Sequence, residues 1–208
     1  MRIDVRRFPG ILLLALPLLL AFFATRASAD GATFRWDLIH LSSFSPMTVE
    51  PGGQASALAN DGSQITLTGS GTFVVGEPDE VTGGGTWQLT CGSDPGITCP
   101  ASGTYVVKRL VRFTLAPGVQ ASTVVDTIGP LTDQRGGLAF LSIAYSDGSK
   151  GVLVVSCHLG GTPSTPASVF EGITASKDFV DFWNREAPAP GVDGNRTNFH
   201  VVSEEDEQ

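Results

Sequence analysis

Gly, Pro, Asn and Asp interrupt this chain at close, fairly even intervals, and short runs of β-branched and aromatic residues lie between them. That punctuation leaves little room for helices, and it predicts an all-β fold. The expected form is an antiparallel sandwich or barrel of roughly 8–10 strands with little helix.

The runs can be placed one by one. Phe34–His40 alternates at first, with Phe34, Trp36 and Leu38 on one face. Asn60-Asp61-Gly62-Ser63 is a tight-turn signal, because Asn and Gly tolerate positive φ, and it joins Gln54–Ala59 to Gln64–Val75. Val81–Thr90 continues the sheet, Gly103–Leu115 reads as a long strand, and Ser122–Ile128 as another. Leu138–Tyr145 and Gly151–Cys157 flank an Asp-Gly turn and form the clearest hairpin. Both arms alternate poorly, so they read as central strands covered on two faces. Val169–Ala175 should be extended. Ser176–Glu186 fits either one helical face or a strand, and Phe-Val-Asp-Phe-Trp tips the reading to strand.

Three segments share a Gly-Thr-aromatic core: Gly71-Thr72-Phe73, Gly85-Thr86-Trp87 and Gly103-Thr104-Tyr105. Gly before such a pair suits a strand that bends as the sheet curls, with the ring covering bare Gly backbone. The competing expectation is a row of aromatics lining a ligand surface. Gly-rich strands of this texture resemble those of allene oxide cyclase-like and dirigent-like barrels, a likeness of texture that no motif turns into membership.

The amino terminus carries a different signal. Arg2, Arg6 and Arg7 precede Ile11–Ala24, which holds no charge, and Ala27-Ser28-Ala29 follows. A basic start, a short apolar run and an A-x-A end are the three parts of a secretory signal, with cleavage predicted after Ala29. The run is too short for a membrane span and is broken by Pro17. The expected location is secreted or periplasmic, with no membrane span in the mature chain. The expected division is residues 1–29 as signal and 30–186 as one β domain. A Pro-rich linker and last strand (187–202) pack on that domain, and an acidic disordered tail follows at 203–208.

The leader takes Arg2, Arg6, Arg7, Arg26 and Asp4 with it. Nine basic residues then face twenty acidic ones, a formal charge of −11. Such a surface argues against nucleic-acid partners, whose phosphates reward basic side chains. Cys91 and Cys99 flank a turn-rich loop and are the expected disulfide in an oxidising compartment. Cys157, in an apolar run, is read as a buried thiol, although pairing with either of the others stays open.

No motif fixes a reaction. His40, His158 and His200 form no metal-ligand spacing, so no metal and no cofactor are expected. Cys157 and His158 are neighbours on a strand and point to opposite faces, which disfavours a nucleophile pair. Glu171 and Asp181, near Trp183, are the first carboxylates to test for glycoside chemistry, with solvated or ion-paired residues near Lys177 and Arg185 as the plainer reading. Asn195-Arg196-Thr197 is a glycosylation sequon expected on an exposed loop. The functional expectation is a non-enzymatic binding protein for a small apolar ligand or a surface partner. Behind it stand a hydrolase or isomerase assembled by the fold, and a structural surface protein.

Overall fold

The computed structural model describes residues 31–96 and 98–202, so the expected signal segment and the expected disordered tail lie outside the described residues. The regular structure of the described chain is nearly all strand: β1 (Thr33–Phe44), β2 (Met47–Pro51), β3 (Gln54–Leu58), β4 (Gln64–Thr68), β5 (Ser70–Val74), β6 (Glu77–Val81), β7 (Gly84–Thr90), β8 (Ala101–Ala116), β9 (Val125–Asp126), β10 (Gly136–Tyr145), β11 (Lys150–Cys157), β12 (Gly172–Lys177), β13 (Val180–Phe182), β14 (Asn184–Arg185) and β15 (Thr197–Val201). One 3-10 turn, Leu131–Asp133, is the sole helical element among the described residues. All fifteen strands belong to one sheet, which is not closed into a barrel.

There are more strands than expected because glycines divide the predicted runs. Gln64–Val75 breaks at Gly69, whose φ of +146° lies outside the range most side chains adopt. On one side of it β4 pairs with β3 and β7, and on the other β5 pairs with β1 and β6. Ser176–Glu186 is strand rather than helix, as its β-branched and aromatic residues favour, and around a turn at Asp178–Phe179 it supplies the end of β12 and all of β13 and β14. Ser122–Ile128 contributes only β9, which runs parallel to β2 and makes the sheet mixed.

The main core takes one face of nearly every long strand. Phe34, Trp36 and Leu38 of β1 are buried in it, beside Leu141 and Ile143 of β10, Leu153 and Val155 of β11, and Phe199 of β15. The β10–β11 hairpin pairs from Gly137↔Cys157 to Ala144↔Lys150. Its second face is half-buried rather than covered: along β10 the buried Ala139, Leu141 and Ile143 alternate with half-exposed Leu138, Phe140 and Ser142.

The Gly-Thr-aromatic segments lie on β5, β7 and β8, and Phe73, Trp87 and Tyr105 are buried in the core. They are not a ligand surface. Trp87 pairs with Gly103, and a Cβ at Gly103 would come within 2.9 Å of the indole nitrogen. The ring therefore occupies the space that the missing side chain leaves, as a curling sheet requires.

A second layer covers the opposite face of β1. Residues 117–135 fold across it as a flap, joined to β2 through β9, and Val124, Ala121, Ile128 and Leu131 pack on Ile39, Leu41 and Val49. Farther along the same face lie Arg35 and Asp37 of β1, paired in register with His200 and Asn198 of β15. Asp37, Asn198 and His200 are buried.

Candidate functional site

At the end of the sheet where β11 finishes and β12 and β15 begin, the structure leaves a cleft of about 620 Å³. Three pieces of chain build its apolar side. The β1–β2 turn supplies Phe44 and Met47, which are 46 % and 37 % exposed despite their apolar side chains. The flap supplies Ala121, Thr123 and Val124, and the chain just past β11 supplies His158, Leu159 and Gly160. Glu171, Arg196 and Thr197 close the polar side.

Glu171 stands just ahead of β12, and its carboxylate clamps two strand ends. One oxygen accepts the His158 N–H at 2.6 Å; the other accepts the Thr197 N–H at 2.6 Å and lies 3.3 Å from the Thr197 hydroxyl. Burial pushes this carboxyl up to about 8, against the opposing pull of those donors and of Arg196. Arg196 donates to the carbonyls of Ala189, Val192 and Gly194, which fastens the Pro-rich stretch beside the cleft. The His158 ring places Nδ1 3.0 Å from the Val169 carbonyl.

Cys157 is a free, buried cysteine at the cleft floor, and burial, then the nearby Glu171, raises its thiol well above the ordinary value. Such a thiol is a poor nucleophile. Cys91 and Cys99 form the expected disulfide at the opposite end of the sheet.

The carboxylates singled out for glycoside chemistry are not brought together. Asp181 is exposed on β13 and lines a separate groove with Asn60, Asp61, Asp94, Phe179 and Trp183, beside the hairpin tips. Glu171 lines the cleft at the other end of β12. Glu171 is half-buried at the cleft and forms no ion pair with Lys177 or Arg185. Lys177 pairs instead with Asp147 at 2.5 Å, and Arg185 donates to the Glu171 carbonyl.

Each histidine lies beside a different acid. His40 Nδ1 is 2.5 Å from Asp193 on the surface, the His158 backbone meets Glu171, and His200 Nε2 lies 3.1 Å from Asp126 under the flap. Among the described residues no group of three or more His, Cys, Asp or Glu could hold a metal ion. The sequon is less accessible than an exposed loop would make it. Asn195 accepts the Ser56 N–H through its side-chain oxygen, and Thr197 is buried with its hydroxyl on the Ser156 carbonyl.

Sequence reasoning missed the cleft because its walls come from segments far apart along the chain. The one local signal was Phe44-Ser45-Pro46-Met47, an apolar pair held on a turn. The chain matches no protein-family model, and no curated protein or solved structure matches it.

Proposed function

We propose that this chain is an exported β protein that binds a small, largely apolar ligand in the cleft between the β1–β2 turn, the flap and the end of β11. The observation that carries this reading is the exposed pair Phe44 and Met47 facing a cleft of about 620 Å³, with Ile39, Val124 and Leu159 along its apolar wall. Small-molecule sites have this size and this mixture of apolar wall and few polar groups. Methionine adds an adaptable surface. The acids and the thiol at the cleft speak for binding over catalysis, since Glu171 spends its oxygens on backbone donors and Cys157 is buried.

Export rests on the leader at residues 1–29 and on the Cys91–Cys99 disulfide. Among the described residues no helix is long and apolar enough to cross a membrane.

Native mass spectrometry of the protein purified from its own host tests both parts. The expected result is a chain beginning at Asp30 with one disulfide and a retained small molecule, which Phe44→Glu loses. A retained leader would overturn export. Absence of any retained molecule, together with no uptake of an apolar dye, would overturn ligand binding.

A second reading, docking of a partner at the opposite end, has its own observation. Phe179 and Trp183 are 87 % and 57 % exposed beside the hairpin tips. A Phe179→Ser, Trp183→Ser variant that loses a partner found in cross-linked host extracts would support it, and unchanged cross-linking would remove it.

A further inference from the structure

The polar side of the cleft restricts what its ligand can carry, and His158 decides it. His158 is half-buried and lines the cleft, with Nδ1 3.0 Å from the Val169 carbonyl. A carbonyl only accepts, so Nδ1 must hold the ring proton. In the neutral imidazole Nε2 is then a bare acceptor. Among the described residues no group hydrogen-bonds to it.

The other ionisable groups of the cleft are committed. Both Glu171 oxygens already receive backbone N–H groups at 2.6 Å, which holds the carboxyl to the two strand ends. The Arg196 guanidinium donates to three backbone carbonyls at 2.7, 2.9 and 3.0 Å, which ties it to the Pro-rich stretch beside the cleft. At mildly alkaline pH a carboxylate ligand would face the ionised Glu171, and an ammonium ligand would face the Arg196 guanidinium. An uncharged donor meets neither penalty.

We propose that the ligand is an apolar molecule bearing an uncharged hydroxyl, of the class of long-chain alcohols, sterols or phenols, and that this hydroxyl donates to Nε2 of His158. The inference rests on the binding function proposed above and adds the chemistry of the ligand's polar end. The hydrocarbon body lies against Ile39, Phe44, Met47, Val124 and Leu159, and the imidazole orients it.

Displacement of Nile red from the mature protein, at mildly alkaline pH, separates the possibilities. The competitors are 1-decanol, its methyl ether, decanoate and decylamine, and they share one chain length. The expected result is that decanol displaces the dye at about fivefold lower concentration than the other three, as one net hydrogen bond implies. His158→Phe should erase that advantage, whatever its effect on the affinity for the dye itself.

Nitrogen-15 NMR of the imidazole gives an independent readout. Unprotonated Nε2 should be observed in the free protein, and its resonance should move on addition of decanol but not of the ether. Dye binding without any preference for decanol, a preference that survives His158→Phe, or a proton found on Nε2 would overturn the hydroxyl assignment and leave the cleft as a binding site. Failure of the wild-type protein to bind the dye at all would overturn the binding function, and this inference with it.

Discussion

The Asp126 carboxylate lies 3.1 Å from Nε2 of His200, and both side chains are buried beneath the flap. The contact is close without being aligned as a hydrogen bond, since both ring nitrogens of His200 lack a hydrogen-bond partner. The same Asp126 oxygen accepts Asn198 Nδ2 at 2.9 Å and Gln134 Nε2, while the other accepts the Ile128 N–H at 2.8 Å. One carboxylate from the flap thus gathers β15, its own stretch of the flap and the flap's carboxy-terminal end. The oxygens of the Gln134 and Asn198 amides are left buried and unpaired. Such a half-satisfied network fixes one arrangement at a cost in stability.

Asp126→Asn should release the flap without unfolding the sheet. The substituted amide would turn an N–H₂ toward donors that now meet an acceptor, and breaking a buried charged cluster costs about 3 kcal/mol or more. Amide hydrogen exchange should speed up at Thr127, Gln134 and Arg135, whose N–H groups hold the flap to β2, the 3-10 turn and β15. The β10–β11 amides should keep their protection. Equal acceleration in both regions would show that the flap is no separate unit.

The Cys91–Cys99 bridge closes a short loop beyond the last β7–β8 pair, Leu89↔Ala101, far from the cleft. In the chain-entropy account a loop of this length stabilises by about 2.5 kcal/mol. A Cys91→Ser, Cys99→Ser variant should therefore unfold at a Tm lower by about 5 °C, within the range for a domain of this size. Its uptake of apolar dye should be unchanged at temperatures where it stays folded. Loss of dye binding in the folded variant would contradict the separation of the two ends.

The strands of this fold were legible wherever alternation and turn chemistry agreed. Asn60–Ser63 gave the β3–β4 turn and Asp147-Gly148 the β10–β11 hairpin, because both rest on local backbone preferences. The flap was not legible. Arg35 and Asp37 alternate with Phe34, Trp36 and Leu38, a pattern that carries no sign of a cover on their side, yet Asp37 is fully buried under residues far along the chain. Only Ile39 and Leu41, apolar on that same face, hinted at a second layer. Glu171 misled for a related reason, since its acceptors' partners, the amides of His158 and Thr197, are set by tertiary contacts that no spacing reveals.

Two glycines of the sheet region should respond oppositely to Ala. A Cβ at Gly85 would lie 1.9 Å from the Thr68 carbonyl oxygen, and β4 and β7 would have to part to admit it. Gly85→Ala should destabilise by about 3 kcal/mol or prevent folding, as forced overpacking of backbone does. A Cβ at Gly160 meets nothing within 4 Å, and its φ is not in the positive range. Gly160→Ala should stay within about 0.5 kcal/mol of wild type. Chemical denaturation of both variants checks the pair, and similar midpoints would count against the close strand approach at Gly69–Gly85.

Stability between pH 5 and 8 should report Glu171 above all. Its carboxyl is pushed up from 4.5 to about 8 by burial, so the folded state holds the proton more tightly than the unfolded chain does. The stability this provides is complete below pH 4.5 and is lost as pH rises through about 8. The total is on the order of a few kcal/mol. Asp61, Asp126, Asp147 and Asp193 are shifted below 3.8, so their contributions change only in stronger acid. Burial raises Tyr105 and Tyr145, which places their titration above this window. The Tm should therefore fall from pH 5 to pH 8, and Glu171→Gln should flatten the slope. At pH 5 the same variant should be less stable than wild type, because its amide N–H₂ faces a backbone N–H that Glu171 accepts. A wild-type Tm that rises with pH across this window would mean that the two short backbone hydrogen bonds outweigh burial and that Glu171 is an anion in the folded protein.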